Sequence, residues 1–218
     1  MYLQQIATLL DSSDPQQRMK GITELRHHQP EDAVPLLVKR MFDKEFLIRS
    51  FVAMGLGYKQ TEAGYEALLE LVARESDSNV IAEAANALAK FGERSLPHLE
   101  IIFNQHPHWL VRQSIFAALE DFDNLDVLSR LCRTGTQDTD PVVRQVAYQS
   151  LKRLSDTEYE EDAQTILIQA ADSEDAETRA NAARALAHFD TPAAQDTLAI
   201  LRKDPDHRVI AATLEPLI

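Results

Sequence analysis

The residues with the most capacity for chemistry are the run His106-Pro107-His108-Trp109 and the single cysteine, Cys132. Two imidazoles two positions apart offer two nitrogens, whereas a closed zinc site takes about four ligands. His98 is the one further imidazole nearby, so His106 and His108 supply at most half of a metal site. The run reads more simply as a loop that lays Trp109 over the start of a helix. His27 and His28 are adjacent, and neighbours on a helix point apart. Cys132 has no cysteine to pair with, and in an apolar helical stretch it reads as a small buried hydrophobe. It could add one ligand to a cluster held by another protein, but could not hold one alone. No glycine-rich phosphate loop, nucleophile elbow, His-Glu-x-x-His pair or spaced Ser/His/Asp set is present. The sequence thus predicts no catalytic residue and no resident metal or cofactor, and it identifies no reaction.

One charged residue type does recur with a regular spacing. The stretch Asp140–Leu151, DPVVRQVAYQSL, shows its frame: an aspartate to cap a helix, proline at the first helical position, then apolar residues three and four apart. Taking the last leucine as anchor, equivalents fall at Leu25, Leu56, Leu88, Leu119, Leu151, Leu186 and Leu217, spaced 31, 32, 31, 32, 35 and 31 residues. Seven positions before each anchor stand Arg18, Arg49, Ile81, Arg112, Arg144, Arg179 and Ile210. A guanidinium in this slot can reach the aspartate of a neighbouring turn, such as Asp140 or Asp175. The slot therefore reads as a ladder tying layers together, interrupted at Ile81 and Ile210, rather than as a substrate site.

These residues must be positioned by a repeat. Each unit reads as helix A, a turn, helix B and a loop, seven times over, so the fold class is all-α: an α-solenoid of about seven helix pairs running through residues 1–218 as one armadillo-like superhelix. Gly57 and Gly92 are expected to end B helices. The 35-residue interval holds an insertion, assigned to the acidic loop Asp156–Asp162, DTEYEED, which reads as a solvated loop with helix N-terminal charge. A net charge of −13 argues against a phosphate-backbone binder. MYLQQIATLL lacks the basic start of a signal peptide, no apolar run reaches the ~20 residues of a membrane span, and cysteine is scarce, so a cytoplasmic location is expected. Leu214, Leu217 and Ile218 leave the last repeat without a polar cap, which would allow self-association there.

The pattern D-x-x-V-R-x-x-A-x-x-A-L, best copied in Asp140–Leu151, Ala176–Leu186 and Trp109–Leu119, resembles HEAT repeats. Its short period is similar to that of the HEAT-like repeats of cyanobacterial phycobilin lyases and their relatives. Within that group, Asp43–Gly57 (DKEFLIRSFVAMGLG) and Asp204–Val209 (DPDHRV) most resemble the small HEAT-repeat partner of an A-type iron–sulfur carrier. The resemblance implies that B helices line a concave groove. At four and five residues past the slot, and beyond, the groove would show Met54, Ala85, Asn86, Phe116, Tyr148, Gln149, Lys152 and Arg184. Two function classes follow. One is a non-catalytic protein-binding scaffold whose partner is an iron–sulfur carrier or a phycobiliprotein, serving iron–sulfur assembly or phycobilisome turnover. The other is a phycobilin lyase or bilin-detaching factor that holds phycocyanobilin, for which Lys152 and Arg184 would be the cations facing the propionates.

Overall fold

The computed structural model describes residues 1–215, and among them all regular structure is helical. The first unit contains α1 (Leu3–Leu10), α2 (Pro15–Glu24), α3 (Pro30–Val38), α4 (Phe46–Lys59), α5 (Glu62–Arg74), α6 (Ser78–Ala89), α7 (Leu96–Gln105) and α8 (Trp109–Leu119). The second contains α9 (Leu125–Gly135), α10 (Pro141–Leu151), α11 (Glu160–Ala171), α12 (Ala176–Leu186), α13 (Pro192–Leu201) and α14 (His207–Ala212). The two compact units are Met1–Phe122 and Asp123–Ile218. Odd-numbered helices are the A members of the expected pairs and even-numbered ones the B members. Leu217, the seventh anchor, and the chain end with Ile218 lie outside the described residues.

The helices begin where the capping residues stand. Asp14, Asp77, Asp140, Asp175 and Asp206 each accept the backbone N–H two positions on, which satisfies a donor that the first turn cannot pair internally. Thr61, Asn124 and Thr191 do the same for A helices, taking an N–H three residues on. In the first unit α2, α4, α6 and α8 pack side by side, and in the second α10, α12 and α14 do. Each B helix also meets its A partner. An interior B helix is therefore covered on several flanks. Relative to the slot, positions −1, +3, +4 and +7 are buried in four successive B helices: Ile48, Val52, Ala53, Leu56; Val80, Ala84, Ala85, Leu88; Val111, Ile115, Phe116, Leu119; Val143, Ala147, Tyr148, Leu151.

Gly57 does not end its helix. It lies inside α4, where a Cβ would stand 2.6 Å from the Cβ and 2.7 Å from the Cα of Ala87. Its role is to let α4 and α6 approach closely, and Gln60, at φ 50°, takes the left-handed position after the helix. Gly92, at φ 74°, takes a left-handed position three residues past the last residue of α6, where it opens the next turn instead of capping the helix directly. In the acidic insertion Asp156 is also left-handed, at φ 57°, and its N–H reaches Glu160 Oε2 at 2.6 Å. Glu160, Glu161 and Asp162 then occupy the first turn of α11, where carboxylates favour the helix dipole.

Candidate partner-binding surface

The slot arginines work at two edges, except Arg112, whose Nε donates to the Phe103 carbonyl at 3.1 Å. In the others one edge closes the arginine's own turn. Arg18 Nη1 donates to the carbonyls of Ser12 and Ser13 at 3.0 Å, Arg144 Nη1 to those of Asp138 and Thr139 at 2.9 Å, and Arg179 Nη1 to those of Ser173 and Glu174 at 2.8 and 3.0 Å. The other edge, Nε and Nη2, holds a carboxylate of the next pair. Arg18 meets Asp43 at 2.8 Å, Arg49 meets Glu75 at 2.5 and 3.0 Å, and Arg179 meets Asp204 at 2.8 and 2.9 Å. The expected ladder is present, but its acceptors are not the capping aspartates, which spend their oxygens on their own helix. They are the residues two places earlier. Asp43, Glu75 and Asp204 each also accept the N–H of the residue two positions on. The Arg18–Asp43 pair is buried, at 4% and 5% side-chain exposure. Burial pushes the Asp43 carboxyl up, but the bond from Arg18 and the N–H of Glu45 outweigh it, so the group titrates below its ordinary range. Asp204 is held low first by its bond to Arg179.

This register also explains the histidines. Where the slot holds Ile81, the acid seat of the following turn holds His106, and both line one shallow hollow with Ser76, Ser78, Pro107 and His108. An apolar slot residue is matched by a residue that need not be charged, and burial pushes His106 toward its neutral form. His108 caps α8, its Nδ1 accepting the Leu110 N–H at 3.2 Å, and its ring stacks on Trp109. Among the described residues no group of three His, Cys, Asp or Glu is poised to hold a metal. Cys132 is fully buried, and burial pushes its thiol well above the ordinary range.

The expected groove is redrawn by burial. Position +4 faces the interior, so Ala85 is inaccessible and Phe116 is 3% exposed, with its ring edge-on to Phe103 at 5.4 Å. Tyr148 is 5% exposed and opens only onto a local cleft. The misplacement has a simple cause: a B helix with a neighbour on either side buries more than the single stripe an isolated helix pair would. Position +5 does face solvent. Met54 is 44% exposed, Gln149 is exposed, Asn86 is half-exposed, and Lys152 further along α10 is exposed. Arg184 is tied to Glu215 at 2.7 and 3.2 Å and to Asn181 at 3.3 Å, so its charge is already matched. Met54, Ala85, Asn86 and Phe116 belong to the first unit, and Tyr148, Gln149, Lys152 and Arg184 to the second.

Helix α4 carries the surface that stands out. Leu47, Met54 and Tyr58 are exposed by 51%, 44% and 70%. Spaced seven and four apart, they lie on one helical face, with the half-buried Phe51 beside them. Phe46, 40% exposed, opens the same helix. At the far end Lys59 donates to the carbonyls of Arg26 and His28 and lies 5.6 Å from the Tyr58 ring, which fixes that end of the stripe. Sequence reasoning found Met54 and missed Leu47 and Tyr58. The signal was there: FLIRSFVAMGLGYK has apolar residues at −2, +5 and +9, in excess of the four positions that packing requires.

A HEAT-repeat family model matches residues 3–89, 43–120, 65–152 and 135–217. The chain belongs to the HEAT-repeat family. Solved HEAT-like structures superpose over all of it. YibA from Escherichia coli is similar at 18% identity with a TM-score of 0.65, over 85% of that chain. The complex of CpcE and CpcF of phycocyanin lyase from Nostoc sp. PCC7120 is similar at 17% identity with a TM-score of 0.55, over 89% of that chain. An engineered protein is similar at 20% identity and TM-score 0.56, over 68% of its length. At these identities the likeness concerns the HEAT fold. No curated protein matches the sequence.

Proposed function

We propose that this HEAT-repeat protein is a non-catalytic scaffold that grips another protein through the outer face of α4. The observation that carries this reading is the stripe Leu47, Met54 and Tyr58, exposed on one face of a helix whose packing does not use it. Contiguous apolar side chains outside the core mark interaction sites, and aromatic and methionine residues are favoured there. Asn86, on the neighbouring helix α6, would flank the anchors. The resemblance to the small HEAT-repeat partner of an A-type iron–sulfur carrier makes such a carrier the first partner class to test, with a phycobiliprotein as the second. The bilin reading stands as the alternative, weakened because Arg184 already has its counter-charge and leaves Lys152 as the remaining cation of the two it relied on.

The test uses the full chain and its variant Leu47→Ser/Met54→Ser/Tyr58→Ser. Binding of a purified A-type iron–sulfur carrier and of phycocyanin is measured by calorimetry, with phycocyanobilin added separately and its visible spectrum followed. The scaffold reading expects one of the two proteins to bind and the variant to lose at least about tenfold in affinity, the scale of a hot-spot residue or more. A bilin spectrum that shifts saturably, with neither protein bound, would replace it by the pigment-handling alternative.

A further inference from the structure

The arginine lattice has one layer in which the acid is absent although the arginine remains. The acid seats following Arg18, Arg49 and Arg179 are Asp43, Glu75 and Asp204; the seat following Arg144 is Ser173. Ser173 preserves half of the arrangement, since its hydroxyl accepts the Asp175 N–H at 3.2 Å as the acids do in their own turns. It cannot supply the counter-charge. Arg144 donates through Nη1 to the carbonyls of Asp138 and Thr139, and its Nε and Nη2 make no hydrogen bond or ion pair with any described residue. That unused edge is the one that holds a carboxylate in the three complete layers.

The space beside it is open. A cleft of about 460 Å³ is lined by Arg144, Tyr148, Gln169, Ser173, Asp175 and Thr178 among others. Tyr148 is 5% exposed, yet its hydroxyl has no hydrogen-bond partner among the described residues, and burial keeps it protonated and able to donate. Asp175 is the one carboxylate on the wall. Its oxygens accept the Thr178 hydroxyl at 2.7 Å and the Thr178 and Glu177 N–H groups, so they make no hydrogen bond to Arg144, although its charge and that of Arg144 act on one another across the cleft. A two-pronged guanidinium edge with a phenol donor nearby matches a planar carboxylate in shape and charge. We propose that this cleft is a carboxylate-binding site, in which an acid from outside the chain takes the seat that Ser173 leaves vacant. The site lies in the second unit and does not depend on the α4 stripe of the first.

The test is an Nε–H NMR titration of the full, ¹⁵N-labelled chain with sodium succinate, and separately with the peptide acetyl-Gly-Glu-Gly-amide, against sodium chloride at matched ionic strength. The expected result is a saturable shift of the Arg144 Nε–H with a carboxylate that chloride does not reproduce. Tighter saturation by succinate assigns the seat to a small free acid, and tighter saturation by the peptide to a protein-borne one; either supports the site. Ser173→Asp should fill the seat internally, shift the same resonance without ligand, raise the melting temperature, and weaken carboxylate binding at least about tenfold. Tyr148→Phe should fold normally and weaken binding by a smaller factor. An Arg144 resonance that responds equally to chloride and to both carboxylates would overturn the proposal, as would undiminished binding in Ser173→Asp.

Discussion

Arg18 and Asp43 show what a single residue contributes to this fold. Both are buried, and each is the other's counter-charge. Arg18→Met would strand a carboxylate in the interior and should cost about 3–5 kcal/mol in denaturant unfolding, whereas Arg18→Met with Asp43→Leu should recover most of that loss. A single variant as stable as wild type would show that the pair does not tie the layers. The depressed carboxyls of Asp43, Glu75 and Asp204 also set a pH dependence. A group whose folded pKa lies below its unfolded one contributes stability above the unfolded value, near pH 4, and loses it as pH falls through the folded value. The melting temperature should therefore fall on acidification below about pH 5, and should fall less steeply in Asp204→Asn over the same range. Cys132 should resist alkylation in the folded chain and react at once in denaturant, because burial keeps its thiol protonated.

At the scale of the helix, position +4 is the instructive one. Phe116 sits against Phe103 at the interior, so Phe116→Ala should cost about 3–5 kcal/mol, read by chemical denaturation. A variant that keeps its stability but loses a partner would restore Phe116 to the surface. The pairs, the capping aspartates and the core stripe of each B helix were legible in the sequence, because capping chemistry and helical periodicity act within a few residues. Which of two adjacent positions faced solvent was not. That depends on which neighbours a helix has: Phe116 is covered by Phe103 of α7, and Ala85 by the B helices beside α6. The acid seats were missed for a related reason. Asp43 and Asp204 look like ordinary turn residues until the arginine of the preceding pair is seen to reach them across 25 residues of chain. Gly57 was read as a helix terminator, whereas its meaning lies in Ala87, 30 positions away. Gly57→Val should force α4 from α6 and lower the melting temperature by several degrees, at about 2–4 °C per kcal/mol lost. Leu47, Met54 and Tyr58 should show the opposite behaviour: changed to serine, they should leave melting almost unaltered.

Across the whole molecule, stability in a repeat array is roughly a sum of layer and neighbour terms. Damage at Arg18 should accordingly raise hydrogen exchange in α2 and α4 more than in α10 and α12, and uniform acceleration would mean that the chain opens as one cooperative body. The apolar face of α4 is a surface that the packing of this HEAT-repeat protein leaves over. The most direct measurement is deuterium uptake of the full chain, alone and saturated with the protein it retains in affinity capture. Protection concentrated in α4 around Leu47, Met54 and Tyr58 is the predicted result; protection elsewhere, with α4 exchanging as in the free chain, would contradict the account.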